Sequence, residues 1–195
     1  ANTSVLTMEG GYSTIEGPTF QTGIGRVQVT DVERPWLRAN FNTTHWNLSA
    51  YRDARIAERQ NAMASGSGIA PGTTGLWEDS SNLHGELQTN WGLFQDRARV
   101  VGGVAWHKQK VDTSDPTGFH TLMDSEKDET QKSAFGQLEF DIVKNLKVVG
   151  AARWDDSTLH DPEFSPRGGL VLTFAQNHSL RYSYSQAFQR PNYSE

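Results

Sequence analysis

The sequence predicts an all-β fold: an antiparallel up-and-down meander that forms part of a transmembrane β-barrel, with long extracellular loops and short periplasmic turns. Three observations support this. Apolar and polar residues alternate at period two along most of the chain. Short and long connections alternate between these segments, as in outer-membrane barrels. Large aromatic residues lie near the segment ends, where membrane proteins carry their interfacial rings.

The composition agrees with this fold class and excludes several others. Hydrophobic residues make up 35% of the 195 residues and the mean hydropathy is −0.62, which is low for a protein with a buried core. A barrel reconciles low hydrophobicity with a membrane, because only every second strand residue meets lipid. The absence of cysteine excludes disulfides and thiolate metal sites. The net charge of −5 argues against a nucleic-acid partner. The sequence shows no charged and apolar leader at its start, so we expect a signal peptide to be removed or to lie outside this piece.

The first part of the chain contains three predicted strands and two long interruptions. A turn at Asn42–His45 joins the second strand to the third. The glycine-rich segment Ser13–Arg34 is predicted to be a long loop with a possible short strand at Arg26–Thr30. Residues Ala54–Ser81 are predicted to be another loop, beginning with a short polar helix at Ala54–Ala64. The three strands are Ser4–Tyr12, Trp36–Asn42 and Trp46–Asp53.

The remaining chain reads as a regular meander. Short turns are predicted at Phe94–Arg97, Lys144-Asn145 and Ala175–His178, and longer loops at Lys110–Thr130 and Asp155–Phe164. The strands between them are Leu83–Trp91, Val100–His107, Ala134–Ile142, Leu146–Trp154, Ser165–Phe174 and Ser179–Phe188. The predicted total is about nine strands. Because bacterial single-chain barrels have even strand numbers, we expect residues 1–195 to be one partial barrel domain and not a closed one.

The last predicted hairpin illustrates the two faces of such a wall. Leu180, Tyr182 and Tyr184 share one face of the strand, which we expect to meet hydrocarbon. The alternate residues, Arg181 among them, share the other face, which we expect to line the lumen.

The C-terminal region contains Ser165, Pro166, Arg167, Gly169, Leu170, Asn177, Leu180, Arg181, Ser185, Ala187, Phe188, Arg190 and Pro191. Through these residues it resembles, over about thirty positions, the mid-barrel region of TonB-dependent outer-membrane receptors, and the segment Glu33–Phe41 carries a weaker resemblance. The resemblance implies energy-coupled uptake of a scarce nutrient, such as an iron–siderophore complex, across the bacterial outer membrane. The implied partners are a small-molecule metal chelate, outer-membrane lipid and an energy-coupling periplasmic protein. The family's plug and coupling segment are not recognisable here, so we expect the chain to be an internal piece.

The candidate ligand-binding residues fall into two groups. Arg52, Arg55 and Arg59 recur at roughly helical spacing and would clamp an anionic ligand, or else belong to a solvated helix. The second group lies on the lumen parity near the loop-side strand ends, where it would bind ligand or simply form a polar wall. This group comprises His84, Glu86, His107, Gln109, Arg153 and Arg167. His84 and His107 lie on neighbouring predicted strands joined by the turn Phe94–Arg97, and we expect them to approach each other across this strand pair.

No enzyme, cofactor or metal site is predicted. A serine hydrolase would need a nucleophile motif such as G-x-S-x-G, which the sequence lacks. Two other readings of the same alternation remain open: a passive porin-like outer-membrane barrel, and a soluble β-sandwich binding module in which the apolar faces meet each other.

Overall fold

The computed structural model describes residues 3–22, 25–62, 77–114, 125–174 and 178–187. They form one antiparallel sheet of ten strands. None of the described residues belongs to a helix long and apolar enough to cross a membrane. The strands are β1 (Val5–Ile15), β2 (Thr19–Thr22), β3 (Gly25–Asn42), β4 (Trp46–Ala62), β5 (Glu78–Leu93), β6 (Ala98–Asp112), β7 (Lys127–Val143), β8 (Leu146–Ser157), β9 (Glu163–Phe174) and β10 (His178–Ser185).

The strand order confirms the all-β meander. From β3 to β9 each strand pairs with its predecessor and successor in the chain, in the order β1-β3-β4-β5-β6-β7-β8-β9-β10. The short β2 continues along the edge of β3 that β1 occupies. Between β1 and β2 the chain turns at Gly17, whose φ of 91° suits a residue without a side chain. Among the described residues the sheet remains open at β1 and β10, and no second sheet packs on it as a β-sandwich requires.

The predicted helix at Ala54–Ala64 is wrong. These residues continue strand β4 to Ala62, and β4 pairs with β3 on one side and with β5 on the other. The prediction of a long loop at Ser13–Arg34 is likewise wrong, because β1, β2 and β3 fill most of it. A small core of Val29, Val32 and Ala57 stabilises this extension by burying apolar surface.

Most strands are longer than the roughly nine to eleven residues that a tilted membrane crossing needs. For example, β3 has 18 residues and β7 has 17. The connection predicted at Lys110–Thr130 is therefore shorter than expected. It comprises residues 113–126, of which 115–124 lie outside the described part. The sheet therefore continues beyond the bilayer on the loop side.

The short turns are confirmed where they are described. Strands β3 and β4 are joined across 43–45, β5 and β6 across 94–97, and β7 and β8 across 144–145. Residues 175–177, most of the fourth predicted turn, lie outside the described residues.

The two faces of the sheet differ in polarity. On one face β6 presents Ala98, Val100, Gly102, Val104 and Trp106 in succession, followed by Lys108 and Lys110. Nine residues of strand, from Ala98 to Trp106, match the length of a bilayer crossing. This outward face carries exposed apolar side chains on neighbouring strands as well, and aromatic residues mark both of its borders. They include Trp91 and Phe174 on the short-turn side and Trp106 and Trp154 on the loop side.

The opposite, lumen face is polar and less exposed. Along β6 the outward Val104, Trp106 and Lys108 are exposed, whereas Ala105 and His107 between them are only half-exposed. Neighbouring side chains shield this face, as on the concave side of a curved sheet. The lumen face at the level of Trp106 is where the candidate site lies.

Candidate functional site

Four polar side chains form a row across the lumen face. Tyr51 on β4 lies opposite His84 on β5, His84 lies opposite His107 on β6, and His107 lies opposite Gln131 on β7. We call Tyr51, His84, His107 and Gln131 the histidine row. Because residues directly opposite each other in an antiparallel sheet have adjacent Cβ atoms, the pairing alone brings these side chains together.

The rings of the histidine row contact one another. Tyr51 stacks on His84 with ring centroids 5.0 Å apart and planes inclined by 25°. The His84 and His107 rings lie 6.0 Å apart and are tilted by 59°. This approach confirms the proximity predicted from the sequence. The Glu86 carboxylate lies one position below, with its Oε2 atom 3.9 Å from His84 Nε2.

A hydrogen-bonded network adjoins the row. The Asp155 carboxylate is almost fully buried, at 2% exposure. It accepts hydrogen bonds from Gln131 Nε2 (3.0 Å), from Ser133 Oγ (2.6 Å) and from Arg153 Nε (2.8 Å to Oδ2). Arg153 Nη2 also donates to Ser133 Oγ at 2.9 Å. We call Gln131, Ser133, Arg153 and Asp155 the Asp155 network. Charge-assisted bonds of this kind hold a guanidinium in a fixed orientation.

Arg153 is further supported by an aromatic ring. Its guanidinium carbon lies 5.9 Å from the centre of the Phe135 ring, within the range of a cation–π contact. Phe135 in turn lies over Gly103, its partner on β6. A Cβ at Gly103 would approach Phe135 Cζ to 2.6 Å and the Leu87 carbonyl oxygen to 2.7 Å. The glycine therefore lets the aromatic ring lie low enough to support the arginine.

The row and the network together enclose a concavity of about 240 Å³ on the lumen face. Its lining offers aromatic faces from Tyr51 and the histidines, a cation from Arg153, and donors and acceptors from Gln131 and Ser133. Such a surface recognises a polar ligand with aromatic or anionic groups through stacking and charge-assisted hydrogen bonds. In the described ranges no three histidine or carboxylate side chains are placed to hold a metal ion.

The remaining predicted lumen residues lie around this concavity. Gln109 occupies the next lumen position above His107 on β6, opposite Asn82. Arg167 is exposed on β9, opposite Ala151, nearer the short-turn side than Arg153. The structure thus gathers His84, His107 and Arg153 around one space, with Arg167 outside it.

The three arginines do not form a one-faced clamp. On strand β4 Arg52 and Arg55 project to opposite faces of the sheet, because side chains alternate along a strand. Arg52 lies on the outward face, opposite Leu37 and Leu83. Arg55 pairs with Glu78 and donates to Gln60 Oε1 at 2.9 Å. The Arg59 backbone belongs to β4, and its side chain lies outside what the structure describes.

Sequence reasoning missed four residues of the site: Tyr51, Gln131, Ser133 and Asp155. Tyr51 and Gln131 share the parity of the histidines, so the alternation predicts which face of the sheet they lie on. It does not predict which residues of the neighbouring strands they lie opposite. Asp155 was placed at the start of a predicted loop, whereas β8 continues to Ser157.

Comparison with known proteins places the chain among membrane receptors. A family model described as "TonB dependent receptor-like, beta-barrel" matches residues 3–195. The fold is similar to that of the siderophore receptor PirA from Pseudomonas aeruginosa, with a TM-score of 0.71, 14% identity and 97% of this chain covered. It is also similar to the ferric enterobactin receptor PfeA (G324V mutant) from the same organism, with a TM-score of 0.67, 16% identity and 97% coverage.

The matches also define how much of a receptor this chain represents. It spans 31% of each of the two solved receptor chains. A stretch of 103 residues is 26% identical to the mouse GATOR2 complex protein WDR59, covering 51% of this chain and 10% of that protein. A likeness this low over a tenth of a protein carries no conclusion about function.

Proposed function

Because the chain belongs to the family of TonB-dependent receptor β-barrels, whose members are outer-membrane proteins, we propose that it forms the ligand-capturing wall of a receptor for energy-coupled nutrient uptake. The chain lies in the outer membrane, and the family role is that of a receptor or transporter. The proposed cargo is an iron–siderophore complex, taken up with the help of an energy-coupling periplasmic protein.

The observation that carries this proposal is the lumen concavity. It lies at the level of Trp106, near the loop-side mouth of the barrel, where an incoming ligand arrives first. Tyr51 and His84 offer a stacked aromatic surface, and Arg153 presents a cation in a fixed orientation. A chelate with aromatic or anionic groups binds such a surface, with the rest of the barrel lumen completing its contacts.

The binding proposal is tested in the full-length receptor with ferric enterobactin and ferric citrate as probes. Substituting Arg153→Gln removes a charge-assisted contact that is worth about 1.5–3 kcal/mol, so binding should weaken about 10- to 100-fold. Quenching of tryptophan fluorescence by the ferric chelate measures the Kd. The matched control is Arg181→Gln, on the lumen parity of β10 away from the concavity. Unchanged affinity of Arg153→Gln for every chelate that the wild type binds would reject this site.

The uptake proposal is tested separately from binding. Cells that carry the receptor should accumulate radioactive iron from the chelate, and a protonophore should abolish the accumulation. Uptake that persists at the same rate after the protonophore would instead identify a passive porin-like barrel, the reading left open by the sequence.

A further inference from the structure

A second concavity lies on the outward face of the sheet, at the border between the apolar band and the polar extension. Its volume is about 480 Å³ and it spans strands β3 to β6. Pro35, Leu37 and Ile56 give it apolar walls, while Arg52, Asp79 and Lys110 give it charged ones. It is separate from the lumen site, because the two concavities share no lining residue and its Leu37, Arg52 and Lys110 project from the outward face.

The charged groups of this outward groove differ in whether they are already paired. Lys110 lies beyond the membrane band, with its Nζ 3.0 Å from Glu126 and 3.9 Å from Asp79. The hydrogen bond with Glu126 raises the pKa of this lysine. Its neighbour Lys108 pairs with Asp128 at 3.4 Å. Within the described parts of the chain, no hydrogen bond or ion pair engages Arg52. Among the described residues, Arg52 is therefore the cation in the groove whose charge no ion pair compensates.

Directly below Arg52, the residues of the apolar band have small side chains. The next outward row towards the short turns consists of Ala39, Ala50 and Gly85, which are paired across β3, β4 and β5. Nothing lies within 4 Å of the position that a Cβ at Gly85 would occupy. The larger Trp106 follows on β6 at the end of this row. The surface thus offers a slot of small residues beside an indole ring, and Arg52 borders this slot on its loop side.

From this arrangement we propose that the outward groove binds a phosphate-bearing membrane lipid, with its phosphate on Arg52 and an acyl chain along the slot. The outer membrane puts lipid against this face, and the groove lies at the depth where headgroup meets hydrocarbon. A guanidinium binds phosphate through paired hydrogen bonds, and an anionic headgroup complements the uncompensated charge. This inference rests on the orientation of the sheet and is independent of the proposed cargo.

The lipid site is tested with the full-length receptor in detergent, titrated with dioleoyl phosphatidylglycerol and observed by native mass spectrometry. Arg52→Gln should lower the affinity for the most tightly bound lipid about fivefold or more. Ala50→Phe, which fills the slot without changing any charge, should lower it as well. The control Arg181→Gln has the same change of charge on the lumen face and should bind lipid as the wild type does.

Two probes distinguish the lipid from other occupants. Dioleoylglycerol has the same chains without phosphate and should bind weakly and independently of Arg52. Equal binding of the two lipids, or wild-type binding by Arg52→Gln, would overturn the proposal. Inorganic phosphate that binds alone with the same dependence on Arg52 would overturn it too, because the groove would then be a plain anion site.

Discussion

At the scale of single residues, Asp155 connects the lumen network. Its buried carboxylate accepts hydrogen bonds from three side chains, and one of them is the Arg153 guanidinium that lines the lumen concavity. A buried carboxylate is stable only when such donors compensate the water that it has lost. The same contacts favour one orientation of Arg153, so Asp155 is a positioning residue of the proposed ligand site.

We therefore expect Asp155→Asn to affect both stability and binding. The variant loses the charge that orients Arg153 and introduces an amide that must find new partners. Because Arg153 is partly exposed, the cost to folding should be about 1–2 kcal/mol. Thermal unfolding of the full-length receptor and titration with the ferric chelate measure the two effects.

The matched control for this prediction is Asp141→Asn. Asp141 pairs with Lys147 at 3.7 Å near the short-turn end, where both groups are exposed to water. Such a pair contributes little, so this variant should retain the stability of the wild type within about 0.5 kcal/mol. Equal losses in the two variants would contradict the special role of Asp155.

At the scale of the strand elements, Gly103 sets the floor of the site. Replacing it with alanine places a Cβ against Phe135 and against a backbone oxygen that has little freedom to move. Phe135 must then rise, and Arg153 above it must shift. We expect Gly103→Ala to lower the thermal midpoint and to weaken chelate binding, because overpacking costs about 1–3 kcal/mol.

The control for this substitution is Gly150→Ala. Gly150 lies on the outward face of β8, and no atom lies within 4 Å of the position of its missing Cβ. The added methyl group meets open space, so this variant should unfold and bind as the wild type does. A Gly103→Ala variant that behaves like Gly150→Ala would show that Phe135 does not need the glycine.

The turn between β5 and β6 has an unusual backbone. Phe94, Gln95 and Asp96 have φ values of 54°, 56° and 65°, although none of them is glycine. The left-handed conformation costs an ordinary residue about 1 kcal/mol and is least accessible to β-branched side chains. Gln95→Gly should therefore be tolerated, whereas Gln95→Val should lower the thermal midpoint. Equal midpoints for the two variants would contradict the left-handed turn.

The predictability of each strand pair depended on the connection between its strands. His84 and His107 are equally far from the turn 94–97, so counting outward from that turn places them opposite each other. The pairing of Tyr51 with His84 crosses a connection whose length allows many registers. The sequence therefore predicts the register within the tight hairpins. The full histidine row also depends on the register of strands joined by long connections, which only the structure provides.

At the scale of the whole molecule, one sheet serves three environments. Its outward band meets lipid, its opposite face lines the lumen, and its loop-side ends extend into water. Period-two alternation arises only where the two faces meet different surroundings. In the extensions of β3 and β4 the register shifts between Val29 and Asp31 and again between Asp31 and Glu33, so the alternation breaks although the backbone pairing continues. This is why the sequence predicted the crossings but assigned Ala54–Ala64 to a helix.

Single-cysteine labelling along β6 tests the division into lipid and lumen faces most directly. Cysteines are introduced one at a time in the full-length receptor, with native cysteines elsewhere removed, at Val101 and Ala105 on the lumen face and at Gly102 and Val104 on the outward face. In intact outer membranes a water-soluble maleimide should label the two lumen positions and leave the two outward positions unlabelled until detergent removes the lipid. Equal labelling of all four positions, or the reversed pattern, would contradict the orientation on which the lumen site and the lipid groove both depend.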